Sequence, residues 1–244
     1  MMWGLMPRNQ VTSGFFRIQM LVTLGLSVLS ALTLGELSGD TGDNAPVLRH
    51  GLSVSLCVLL AVCSFLGSVM WTLERRRAGT VFAFSVLVLA TIALLFSVTP
   101  AEQLKTSTGI LRIFSDLSAA SILGGATTGM LLGHWYLTTP AMSIAPLSRV
   151  TLVFGIAGVL RLVISGVGLL FIRGMITEDI YWMWLTLRWV AGVIGPLIVA
   201  FMVWRILKFR NTQSATGVLF VGVILCFIGE MTALLLYKVL AIAL

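Results

Sequence analysis

Apolar residues come in seven long blocks, at 15–36, 51–73, 79–99, 110–137, 149–172, 180–206 and 214–242. Each reaches the ~20 residues that a helix needs to cross a bilayer core. Short linkers carry the helix breakers and polar clusters: Ser38 to Pro46, Glu74 to Arg77, Pro100 to Thr108, Pro140 to Pro146 and Lys208 to Ser214. The blocks are continuous rather than alternating in segments of about 10 residues, so they read as helices and not as barrel strands. The pattern predicts an all-α, polytopic integral membrane protein, a seven-helix transmembrane bundle forming a single domain over residues 1–244.

Composition strengthens this. Only 10% of the residues are charged and 58% are hydrophobic, against about 25% charged in soluble domains. The net charge of +7 does not point to nucleic acid, because the basic residues are scattered at block ends rather than gathered on a polar face. The first block is longer than a signal-peptide core of about 7–15 residues and is expected to remain as an uncleaved span. Cys57, Cys63 and Cys226 lie inside apolar blocks without a C-x-x-C or Cys/His cluster. They read as small buried hydrophobes, with no metal or disulfide framework.

Positive charge sets the expected orientation. With the N-terminus in the cytoplasm, the inner segments hold nine basic residues: Arg8, Arg17, Arg75, Arg76, Arg77, Arg149, Arg205, Lys208 and Arg210. The outer segments hold five: Arg49, Lys105, Arg112, Arg173 and Lys238. Lysine and arginine favour the cytoplasmic side, so the N-terminus is expected inside and the C-terminus outside. A multi-pass protein of a bacterial-type inner or plasma membrane is expected, with the lipid bilayer as its first partner. Trp71, Trp135, Tyr136, Tyr181 and Trp204 fall near predicted interfaces, where aromatic belts form.

The fourth block holds a periodic feature. Ser121, Gly125, Gly129 and Gly133 recur every four residues, which makes a smooth ridge on a helix that lets a neighbour approach closely. Around it, four charged residues lie deep within blocks: Asp116, Arg161, Arg188 and Glu230. A single charge at a membrane helix centre costs about 2.5–3.5 kcal/mol on insertion scales, so such residues pair or form functional sites. At 1.5 Å per residue, Asp116 lies roughly 9 Å and Arg188 roughly 12 Å below the outer boundary. Matching depths predicts Asp116 with Arg188, and Glu230 with Arg161. The cluster reads either as glue between the last four blocks or as a site for an anionic or protonatable ligand. The first three blocks are expected to be scaffold, the third facing lipid.

Two further features bear on function. His134, Trp135 and Tyr136 stand where the fourth block ends, and suit either local hydrogen bonding or a haem or quinone contact with proton relay. His50, the other histidine, is predicted in the opposite leaflet, so one bis-histidine haem using both is excluded. Gly195-Pro196 interrupts the sixth block about half-way and is a candidate hinge, since proline removes a helical hydrogen bond. A retinal protein is disfavoured because the lone lysine of the last block, Lys238, is near its end.

No G-x-S-x-G, H-E-x-x-H or P-loop is present, so the chain does not read as an enzyme. Three functions fit the sequence. One is transport or permeation of a small anionic or proton-coupled solute. Another is a membrane subunit of a respiratory or redox complex contacting quinone or a single haem near His134. The third is a ligand-free structural or assembly subunit, in a homo-oligomer or a larger membrane complex.

Overall fold

The computed structural model describes residues 10–40, 47–98, 107–139, 142–171 and 179–240. Every regular element among them is helical: α1 Ser13–Asp40, α2 Val47–Thr72, α3 Arg76–Val98, α4 Ser107–Thr138, α5 Ala145–Phe171, α6 Asp179–Leu187, a π-helical segment Arg188–Ile194, α7 Gly195–Lys208 and α8 Thr212–Leu240. Six of the described helical runs are long and apolar enough to cross a membrane, with α6, the π segment and α7 counting as one run. α4 is not among the six. Its 32 residues include many small and hydroxyl side chains, and several of these are buried: Ser115, Ser118 and Thr128.

The helices gather into two compact units, α1–α3 and α4–α8. The α1–α3 unit is organised around Trp71. Its ring stacks on Phe16 at 4.5 Å and 18°, and Phe15 meets Phe16 edge to face at 5.9 Å. Gly79 admits the indole, since a Cβ there would fall 2.7 Å from Trp71 Cε2. Trp71 is therefore a core residue at 2% exposure rather than a belt aromatic. Its position near a helix end suggested the belt, but the α2–α3 turn, with Glu74 at φ 56°, brings Gly79 back against it. α3 buries the smallest share of its apolar window, 17%, in keeping with a peripheral helix.

In the α4–α8 unit, α4 packs against both α5 and α8, and α8 also packs along the sixth run. Gly129 on α4 faces Leu219 of α8 and Val150 of α5, and Gly133 faces Thr216 of α8. A Cβ on Gly133 would lie 2.6 Å from Thr216 Oγ1, so this end of the ridge is a place of close approach. Ser121 lies farther up, its hydroxyl donating to the Leu117 carbonyl, and Gly125 is buried.

The sixth run does not break at Gly195-Pro196. It widens into a π-helix just before them, and the Gly195 N–H donates to the Val190 carbonyl five residues back. Proline lacks an N–H and its ring crowds the carbonyl four residues earlier, here that of Gly192. A wider turn accommodates that carbonyl without ending the helix. Gly195 itself is ordinarily helical, at φ −55° and ψ −52°.

Candidate functional site: a buried arginine–glutamate–arginine triad

Glu230 of α8 lies between two arginines. Arg161 of α5 grips it in a forked arrangement, Nε donating to Oε1 at 3.0 Å and Nη2 to Oε2. Arg188, the first residue of the π segment, donates from Nη1 to the same Oε1 at 3.2 Å. Two parallel N–H···O bonds to a carboxylate are the strongest geometry available to an ion pair. Further donors go to serines on neighbouring helices, while Arg188 Nε is buried without a hydrogen bond. Arg161 Nη1 donates to the Ser115 carbonyl at 2.9 Å, to Ser115 Oγ at 2.6 Å and to Ser118 Oγ at 3.1 Å, both residues on α4. Arg188 Nη2 donates to Ser165 Oγ on α5 at 3.2 Å.

The triad thus ties together α4, α5, α8 and the sixth run. The Arg161 and Arg188 side chains are 2% and 0% exposed and that of Glu230 is 11%. Burial of this kind requires the partners to satisfy one another.

The approach of the sixth run to α8 depends on two glycines. A Cβ on Gly192 would lie 2.7 Å from Gly229 Cα, and one on Gly229 would strike the Gly192 backbone. Gly192 stands one turn after Arg188, and Gly229 directly precedes Glu230. The glycine contact therefore sets the arginine and the glutamate face to face. Two turns of helix further along, Gly222 admits Val199, with a Cβ position 2.8 Å from Cγ1.

Asp116 departs from the predicted pairing. Its neighbour is Arg112 on its own helix, Nε to Oδ2 at 3.9 Å, with side chains 31% and 26% exposed. Arg188 goes to Glu230 instead. Matching depth had placed Arg188 level with Asp116, but direction around the helix decides, and the Gly192–Gly229 crossing turns Arg188 toward α8. Asp116 stays within electrostatic range of Arg161 and Glu230, yet its buried Oδ2 accepts no hydrogen bond. Arg112 in turn donates from Nη1 to the Tyr237 hydroxyl, and its guanidinium carbon lies 4.1 Å from the Tyr237 ring centroid.

Several of these partners escaped the sequence reading, although each had a helical-spacing signal. Ser115 and Ser118 share a face at three residues' spacing. Ser165 follows Arg161 by one turn, Gly192 follows Arg188 by one turn, and Tyr237 follows Glu230 by two.

His134, Trp135 and Tyr136 do not converge. His134 is exposed, Trp135 is half-buried, and Tyr136 is buried with its hydroxyl donating to the Ser143 carbonyl. Consecutive residues on a helix point about 100° apart, so the three cannot line one face. His50's side chain lies outside the described residues. Among the described residues no group of three or more His, Cys, Asp or Glu side chains is placed to hold a metal ion.

No family model matches the chain, and the comparisons with curated proteins and with solved structures found no match.

Proposed function

We propose that this is a seven-span integral membrane protein of a bacterial-type inner or plasma membrane that acts as a structural or assembly subunit, with the triad as its keystone. The seventh span is α4. Its polar content serves the inside of the bundle rather than water: Ser115 and Ser118 reach the triad, and Ser121 and Thr127 bond carbonyls of their own helix. The N-terminus is inside and the C-terminus outside, an orientation supported by the basic residues at Arg75 to Arg77, Arg149, Arg205 and Lys208.

The observation that carries the reading is the enclosure of the cluster and the engagement of its carboxylate. The three N–H groups of Arg161 and Arg188 that point at Glu230 occupy both of its oxygens, and the serines occupy the next donors. A binding site for an anion would hold open donors beside water; these guanidiniums are enclosed, and Arg188 Nε, which makes no hydrogen bond, is enclosed with them. Purification in mild detergent followed by cross-linking and mass spectrometry tests the reading. The expected result is a defined homo-oligomer or a stoichiometric partner complex. A lone monomer that moves solute in liposomes would contradict it.

One observation favours a second reading, permeation of a small anionic or proton-coupled solute. Arg112 and Asp116 remain partly exposed, and Asp116 Oδ2 lacks a hydrogen-bond donor. In that reading a solute or proton enters at Arg112 and Asp116 and the triad is the closed inner end of the path. Gly195-Pro196, beside the widened turn, supplies the hinge. Flux in proteoliposomes that is lost in Asp116→Asn with folded yield unchanged would support it, and absence of wild-type flux would remove it.

A further inference from the structure

We propose that the groove between α5 and α7 holds an anionic phospholipid, with an acyl chain along the groove and the phosphate on the basic residues at one end. The groove encloses about 490 Å³, within the ~300–1,000 Å³ typical of small-molecule sites. Its walls are apolar: Leu152, Ile156 and Leu160 on α5, and Leu197, Phe201 and Trp204 on α7. The single hydroxyl in the lining, that of Thr151, is spent on the Leu147 carbonyl. An occupant must therefore be apolar along the groove.

The end of the groove is different. Gly155 faces Ala200, and Gly158 faces Leu197. Three residues forward on α5 correspond to three back on α7, so the helices are antiparallel. The start of α5 accordingly meets the end of α7. Arg149 stands at that start, and Arg205 and Lys208 stand at that end; all three are exposed. Arg149 shares its helix face with Leu152, Ile156 and Leu160, at spacings of three, seven and eleven residues. Lys208 shares a face with Leu197, Phe201 and Trp204 in the same way. Its Nζ lies 3.6 Å from the Trp204 ring centroid, at the mouth of the groove. Phe209 beside it is 81% exposed, a residue suited to the headgroup boundary.

An apolar channel that ends in several cations matches a two-part molecule: hydrocarbon followed by negative charge. A soluble anion would leave the groove empty, and an apolar helix would leave the cations unmatched. Basic residues between membrane helices on the positively biased side are a recurring form of anionic headgroup recognition.

Native mass spectrometry of the full chain in detergent micelles, supplied with equal phosphatidylglycerol and phosphatidylcholine of identical acyl chains, tests this. Wild type should retain phosphatidylglycerol preferentially. Arg149→Gln with Lys208→Gln should lower that preference by about fivefold per basic residue, the worth of one cation beside an anionic surface. Ile156→Trp, which fills the groove, should reduce retention of both lipids. Raised salt should weaken the wild-type preference, which gives a readout that needs no variant to fold. Equal retention of the two lipids by wild type, or a preference unchanged in the double variant or at high salt, would overturn the proposal.

Discussion

Gly192 and Gly229 meet backbone to backbone, and the ion pair between Arg188 and Glu230 lies beside that contact. The sequence of causes runs from backbone to charge. Absence of side chains at two positions allows two helices to touch, and the touch lets an arginine reach a carboxylate that a second arginine already holds.

Replacing either glycine by leucine should therefore damage both packing and pairing. Overpacking alone costs about 1–3 kcal/mol, and displacement of Arg188 adds to it. Thermal unfolding in detergent should show Gly192→Leu and Gly229→Leu strongly destabilised. Gly217→Ala, on the same helix as Gly229 with no atom within 4 Å of its Cβ position, should be neutral or slightly stabilising, as alanine is the better helix former.

The α1–α3 unit has its own anchor. Trp71→Ala removes the stack on Phe16 and empties a fully enclosed volume, a change that costs about 3–5 kcal/mol in well-packed cores. Hydrogen exchange should report faster opening across α1, α2 and α3. Trp71→Phe, which keeps a ring against Phe16, should show a smaller acceleration.

Asp116 and His134 should behave quite differently from the triad. The Asp116–Arg112 contact is partly exposed and long, and such pairs contribute about 0–1 kcal/mol. Asp116→Asn should leave the melting temperature close to that of wild type, and so should His134→Ala at its exposed position. A large loss of stability in Asp116→Asn would mean that this carboxylate belongs to the keystone after all.

How far the sequence could be read follows from which physical quantity each feature depends on. Helical class and the block boundaries depend on hydrophobicity and length, which are local, and the helices fall close to the apolar blocks. The Arg161–Glu230 contact follows from two deep opposite charges of similar depth. The Asp116–Arg188 pairing failed because depth alone ignores rotation about the helix axis, and rotation was set by a glycine crossing between distant parts of the chain. The burial of Trp71 was not legible for a related reason: it depends on Gly79 after a turn. The π-helical widening at Arg188–Ile194 had only Pro196 as its signal. A proline announces a missing hydrogen bond without saying whether the helix kinks, breaks or widens.

The central claim is that Arg161, Arg188 and Glu230 act as a structural unit. Removing the carboxylate alone leaves two enclosed guanidiniums facing each other, and breaking a buried pair in this way costs about 3–5 kcal/mol, whereas replacing all members by apolar residues of similar volume is often neutral or stabilising. The decisive measurement compares the unfolding free energies of wild type, Glu230→Gln and the triple variant Arg161→Met, Arg188→Met, Glu230→Met in the same detergent. The account predicts that Glu230→Gln is destabilised by about 3–5 kcal/mol and that the triple variant recovers most of that loss. A Glu230→Gln variant as stable as wild type would contradict it.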